Sequence, residues 1–205
     1  MSDEIILTGD EKDCLQELMN ISYGSATAAI SKIIDRFATL SIPAIKTISA
    51  EDLTKHLLLK LKDNKTFFIS NQLINGSLSG QNLFIIDSLS AKNLANEFGL
   101  DEDEQNQEDI EDIVLEITNI LSSTASSKLA TLLNTKIGFS SPTINYINSK
   151  KDFDCDFECN YESIIVISTN LQFENQNINA ELVFMKHKKS FEYLKQQLNE
   201  FLDEY

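Results

Sequence analysis

Pro43 and Pro142 are the only prolines in a chain of 205 residues, and they stand 99 residues apart. Laid on itself at that offset, the chain brings Asp13 onto Asp112, Glu17 onto Glu116 and Asn20 onto Asn119. The apolar frame follows. Leu18-Met19-Asn20-Ile21 falls on Ile117-Thr118-Asn119-Ile120, Ile33 on Leu132, and Asn82-Leu83-Phe84-Ile85-Ile86 on Glu181-Leu182-Val183-Phe184-Met185. A unit of about a hundred residues is therefore written twice, and the copies are expected to pack on each other. The expected organisation is one domain over 1–205, with repeats at about 8–99 and 107–205 and an acidic linker at 100–106.

Each repeat begins with a long helix. In the first, Leu15, Leu18, Met19, Ile21, Ala26, Ala29, Ile30, Ile33 and Ile34 recur at helical spacing, and Thr8-Gly9-Asp10-Glu11 supplies capping residues and early acids. The second is expected over about Glu108 to Asn134. A strand then begins near each proline, which suits a strand start because it cannot donate to the ladder. Two longer strands follow, about Lys65 to Ile74 and Ser77 to Asp87, joined by an Asn75-Gly76 turn. Their copies are about Glu162 to Glu174 and Ile178 to Lys186, joined through Asn175-Gln176-Asn177. Shorter helices near Ser90 to Glu97 and Ser190 to Leu202 close the halves. The fold class is α+β, a pseudo-twofold α-β-β-β-α unit repeated, with about six strands in one sheet.

Charge narrows the function. Seventeen Lys and Arg against 32 Asp and Glu leave a formal charge of −15, and Arg36 is the single arginine. Such a chain opposes nucleic acid and anionic lipid. No stretch of about 18 apolar residues is present to span a bilayer. The start, Met1-Ser2-Asp3-Glu4, lacks the basic opening of a secretion signal, and Cys14, Cys155 and Cys159 suit reduced thiols in a cytoplasm. Cys155 and Cys159 have no second ligand pair at zinc spacing, since His56 and His187 stand alone. P-loop, dinucleotide and nucleophile-elbow signatures are missing from the sequence.

What remains is the repeated set Asp13, Glu17, Asn20 and Asp112, Glu116, Asn119. Offsets of 0, 4 and 7 place each set on one helical stripe, looking outward. One copy alone would suit a solvated helix face. A further Glu174/Asn177 pair lacks both the upstream acid and the downstream proline, and suits turn chemistry. The two helical copies share both features.

The pattern Asp/Ser-x3-Glu-x2-Asn-x22-Pro resembles the signature of the CheC/CheX/FliY phosphatases of bacterial chemotaxis. It occurs twice, ending at Pro43 and Pro142, and the tandem arrangement is similar to the stand-alone, two-site CheC type. The resemblance implies a hydrolase that removes the phosphoryl group from the aspartate of phosphorylated CheY or another receiver domain. Asn20 and Asn119 would orient the attacking water, an amide being a neutral donor and acceptor. Glu17 and Glu116 would anchor the regulator's lysine, Asp13 and Asp112 would add contacts at the edge, and the prolines would be structural. No cofactor of the chain's own is implied, because the regulator brings its Mg²⁺. CheD is a further implied partner, and a non-catalytic adaptor or motor-switch-like scaffold is the competing reading. Two internal sites favour a monomer. Small residues after each Asn (Ser22, Gly24 and Ser25; Ser122, Ser123 and Ala125) suggest room for a docking loop. Tyr23 and the lack of a glycine after Asn119 are departures from the family pattern.

Overall fold

The computed structural model describes residues 7–35, 37–48, 66–101, 105–148, 164–173, 178–186 and 188–203. The first half holds α1 (Gly9–Ile34), β1 (Ala38–Leu40), β2 (Ala44–Ile48), β3 (Phe67–Gly76), β4 (Gly80–Asp87) and α2 (Ser88–Glu97). The second holds α3 (Gln107–Leu132), β5 (Ile137–Phe139), β6 (Thr143–Ile147), β7 (Ile164–Phe173), β8 (Asn179–Lys186) and α4 (Lys188–Asp203). The architecture is α+β, with eight strands in one antiparallel sheet ordered β1-β7-β8-β4-β3-β5; β2 also lies on β7 and β6 on β3.

Among the described residues each half thus has four strands where the sequence suggested three. The extra pieces, β1 and β5, are separated from β2 and β6 by a bulge. Leu40 pairs with Leu171 and Ala44 with Ser168, so three residues, Ser41 to Pro43, face two. Phe139 pairs with Ile74 and Thr143 with Asn71, so Ser140 to Pro142 do the same. Proline has no N–H to give a ladder, and a bulge is one of the few places inside a sheet that accepts it.

Helix starts follow the sequence closely. Thr8 caps α1 in a reciprocal box: Glu11 N donates to Thr8 Oγ1 at 3.2 Å and Thr8 N donates to Glu11 Oε2 at 2.7 Å. Asn106 caps α3, while Gln105 Nε2 ties the end of the acidic linker to Asn96 Oδ1 at 2.6 Å and Leu100 O at 3.0 Å. Leu15, Leu18, Met19, Tyr23, Ala26 and Ile30 of α1 are buried at helical spacing, as are Val114, Ile117, Leu121, Ala125 and Leu129 of α3. Two apolar residues assigned to the first core stripe, Ile21 and Ile33, are instead 40% and 52% exposed.

The β3–β4 turn also differs from expectation. Asn75 and Gly76 stay in β3, held by Gly138 and Ile137 of β5. The reversal passes through Ser77 and Leu78, closed by Ser79 N to Gly76 O at 3.1 Å. Gly76 takes φ 101°, and burial of Leu78 rewards the displacement. The counterpart loop, including Glu174 and Asn175-Gln176-Asn177, lies outside the described residues.

Facing residues show where the simple offset fails. β4 turns Asn82, Phe84 and Ile86 to the helices; β8 turns Ala180, Leu182 and Phe184. An odd offset of 99 would carry an inward residue of β4 onto an outward one, so β8 is shifted by one position against the repeat. At the end of β8, Lys186 is buried beside its ladder partner Gly80, and its Nζ donates to Leu78 O at 2.9 Å. Burial drives its pKa down to about 7. A Cβ on Gly80 would stand 2.0 Å from Met185 O, so only glycine fits there.

Candidate active site

α1 and α3 pack against each other, and each carries its Asp-Glu-Asn stripe in an exposed position. Asp13, Glu17 and Asn20 are exposed, as are Asp112, Glu116 and Asn119. Offsets of 0, 4 and 7 keep each set on one line of its helix, so each glutamate stands about one turn from its amide and each aspartate about two. The six residues are thus presented as two separate triads.

Several neighbours take positions other than those expected. Ser22, Ser122 and Ala125 are buried, Ser22 Oγ donating to Leu18 O at 2.7 Å, so they serve helix packing and not a docking surface. Gly24, Ser25 and Ser123 keep some exposure. Tyr23 does not crowd Asn20. It points into the core, edge-on to Phe184 with ring centroids 5.5 Å apart.

Among the described residues, only the second triad is tied to the sheet. Gln72 of β3, fully buried, donates from Nε2 to Asn119 Oδ1 at 3.0 Å and to Ser140 O at 2.9 Å. Ser140 begins the bulge that Pro142 ends. This explains the spacing from asparagine to proline. α3 runs about 20 Å from Asn119 to its end, and extended chain through β5 returns a similar distance, so the bulge arrives beside the asparagine. Pro142 therefore shapes the support of Asn119 from beneath. Nothing in the motif marked Gln72. The available signal was one amide at an inward position of a strand otherwise rich in Phe and Ile. Asn82, also inward, donates from Nδ2 to Ser126 Oγ at 3.0 Å and to Ser122 Oγ, fastening α3 to β4.

Among the described residues no group of three His, Cys, Asp or Glu is placed to hold a metal ion, and no helix is long and apolar enough to cross a membrane. Cys155, Cys159, His56 and His187 lie outside the described residues. Cys14 is a free, half-buried thiol whose pKa burial pushes up.

Residues 110–146, from early α3 to β6, match the CheC-like family. No curated protein matches in sequence. Among solved structures, FliY of Thermotoga maritima shares the fold at TM-score 0.76 and 19% identity, over 96% of this chain and 99% of that one. The FliM middle domain of Vibrio alginolyticus aligns at TM-score 0.62 and 11% identity, over 90% and 99%. CheX of Vibrio vulnificus aligns at TM-score 0.52 and 19% identity, over 82% and 98%.

Proposed function

We propose that this chain, which the matched segment and the shared fold support as one of the CheC/CheX/FliY chemotaxis proteins, is a phosphatase of phosphorylated receiver domains such as CheY. The observation that carries this reading is the duplicated, exposed Glu-x-x-Asn stripe on two long helices of that fold. An acyl phosphate is a reactive bond, and in this reading its Mg²⁺ belongs to the receiver. The chain's task is then geometric. Asn20 or Asn119 holds a water in line with phosphorus. The water oxygen bonds to phosphorus, the bond to the aspartyl oxygen breaks, and its electron pair stays on the regenerated carboxylate. Glu17 or Glu116, one turn away, offers a carboxylate to the receiver's lysine, with Asp13 and Asp112 at the edge.

Decay of a phosphorylated receiver, measured with wild type, Asn20→Ala, Asn119→Ala and the double variant, tests this. Each single variant should retain one site and the double variant none. A double variant as active as wild type would refute the assignment. The FliM likeness favours a second reading, a non-catalytic module of the chemotaxis or switch apparatus, CheD binding included. Capture of such a partner with no effect on phosphate lifetime would select it.

A further inference from the structure

The two sites share one junction but differ in a single support. In site two, Ser140 N donates to Leu73 O at 3.0 Å and Leu73 N to Ser140 Oγ at 3.1 Å. In site one, Ser41 N donates to Asn170 O at 3.0 Å and Asn170 N to Ser41 Oγ at 3.0 Å. The helix-facing residue beside this junction is Gln72 in one case and Thr169 in the other. Both are buried, and both donate to the bulge carbonyl: Gln72 Nε2 to Ser140 O at 2.9 Å, Thr169 Oγ1 to Ser41 O at 2.6 Å. Gln72 has length and a second hydrogen to spare and reaches Asn119. Threonine, with one hydroxyl hydrogen on a two-atom arm, ends at Ser41. Asn20 makes no side-chain hydrogen bond to a described residue.

The contact also fixes an orientation. A backbone carbonyl can only accept, so Ser140 O obliges Gln72 to turn its amino group that way. That same amino group meets Asn119, which must present Oδ1 inward. Its Nδ2 hydrogens and the second lone pair of Oδ1 are left for the outside. Gln72 Oε1 remains buried without a partner among the described residues, an unfavourable arrangement kept in a site that uses the other end of the amide.

We propose that Gln72 is a positioning residue of the second site, holding the Asn119 amide in one orientation for water, and that the first site works with an untethered Asn20. This inference rests on the phosphatase reading. Gln72 is buried and offers no surface to a receiver domain, so its effect falls on turnover and not on docking.

The test follows phosphate loss from a receiver over a range of receiver concentrations in two backgrounds. In Asn20→Ala, which leaves site two, Gln72→Thr should lower kcat about fivefold, with KM changed less than about twofold. In Asn119→Ala, which leaves site one, the same change should spare turnover, because Gln72 then has no catalytic amide to hold. In the full chain, the Asn119 side-chain amide should be ordered by ¹⁵N relaxation in wild type and mobile in Gln72→Thr. An unchanged site-two kcat, an equal fall at both sites, or an Asn119 amide equally ordered in the variant would overturn the proposal. A wild type that leaves phosphate lifetime unaltered would remove the phosphatase reading and this inference with it, a result distinct from an active enzyme indifferent to Gln72.

Discussion

Lys186 provides a test of the core that is independent of any activity. Its ammonium is buried at the end of β8 with the Leu78 carbonyl as hydrogen-bond acceptor, and its pKa falls from 10.5 to about 7. Because the folded value lies below the unfolded one, the unfolded chain binds the extra proton between pH 7 and pH 10.5. Folding is therefore penalised most below pH 7 and regains stability as pH rises through that window. One proton gives a slope of at most about 1.4 kcal/mol per pH unit, so the wild type should gain about 2 kcal/mol from this group between pH 7 and pH 9. Lys186→Met keeps the stem and removes the charge. The variant should be the more stable at pH 7, by a few kcal/mol less the hydrogen bond to Leu78 O. Urea midpoints for both proteins at pH 6, 7, 8 and 9 give the difference, in which the titration of every other group cancels. The gap should be nearly level from pH 6 to 7 and then close steadily. A gap independent of pH, or a variant less stable at every pH, would refute the account of a buried, deprotonating lysine.

Two other perturbations address the helices. Burial alone would raise the pKa of Glu11, but hydrogen bonds from Thr8 and from Asn199 Nδ2 at 2.9 Å, with Lys195 Nζ at 3.5 Å, outweigh it and leave it below 4.5. Glu11→Gln should cost about 1–2 kcal/mol at neutral pH, and the gap should vanish as pH falls through the folded pKa, below 4.5, on acid titration followed by circular dichroism. Tyr23→Phe removes a buried hydroxyl that has no partner among the described residues while keeping the ring against Phe184; it should leave stability unchanged or raise it by about 1 kcal/mol in urea. A loss of 2 kcal/mol or more would show that the hydroxyl is bonded.

The parts of the molecule visible in sequence were those with local causes. Apolar spacing and the capping residues and early acids of Thr8 to Glu11 marked the start of α1, and the duplicated stripe emerged on exposed helix faces. What stayed hidden depends on distant pairing. β1 and β5 are three residues long, too short for an alternation to register, and exist because β7 and β3 offer them partners. The Asn75-Gly76 turn moved because β5 holds those two residues in the ladder. Gln72 escaped because its partners Asn119 and Ser140 belong to the other repeat, and because β7 is displaced by two residues against the repeat, which sets Gln72 against Thr169 and not against Leu171, where a uniform offset would place it.

The exchange of strands makes each half a component of the other. β1 and β2 complete the sheet around β7, and β5 and β6 complete it around β3. The amide of site two stands on the second repeat while its floor, Gln72, is laid by the first. Inheritance of the second site is accordingly crossed: a substitution in β3 falls on the triad encoded some forty residues downstream. A lone repeat could complete such a site only by lending its strands to a second copy, so duplication within one gene converts an obligate pairing of chains into a covalent one and frees the two floors to diverge, as glutamine and threonine have.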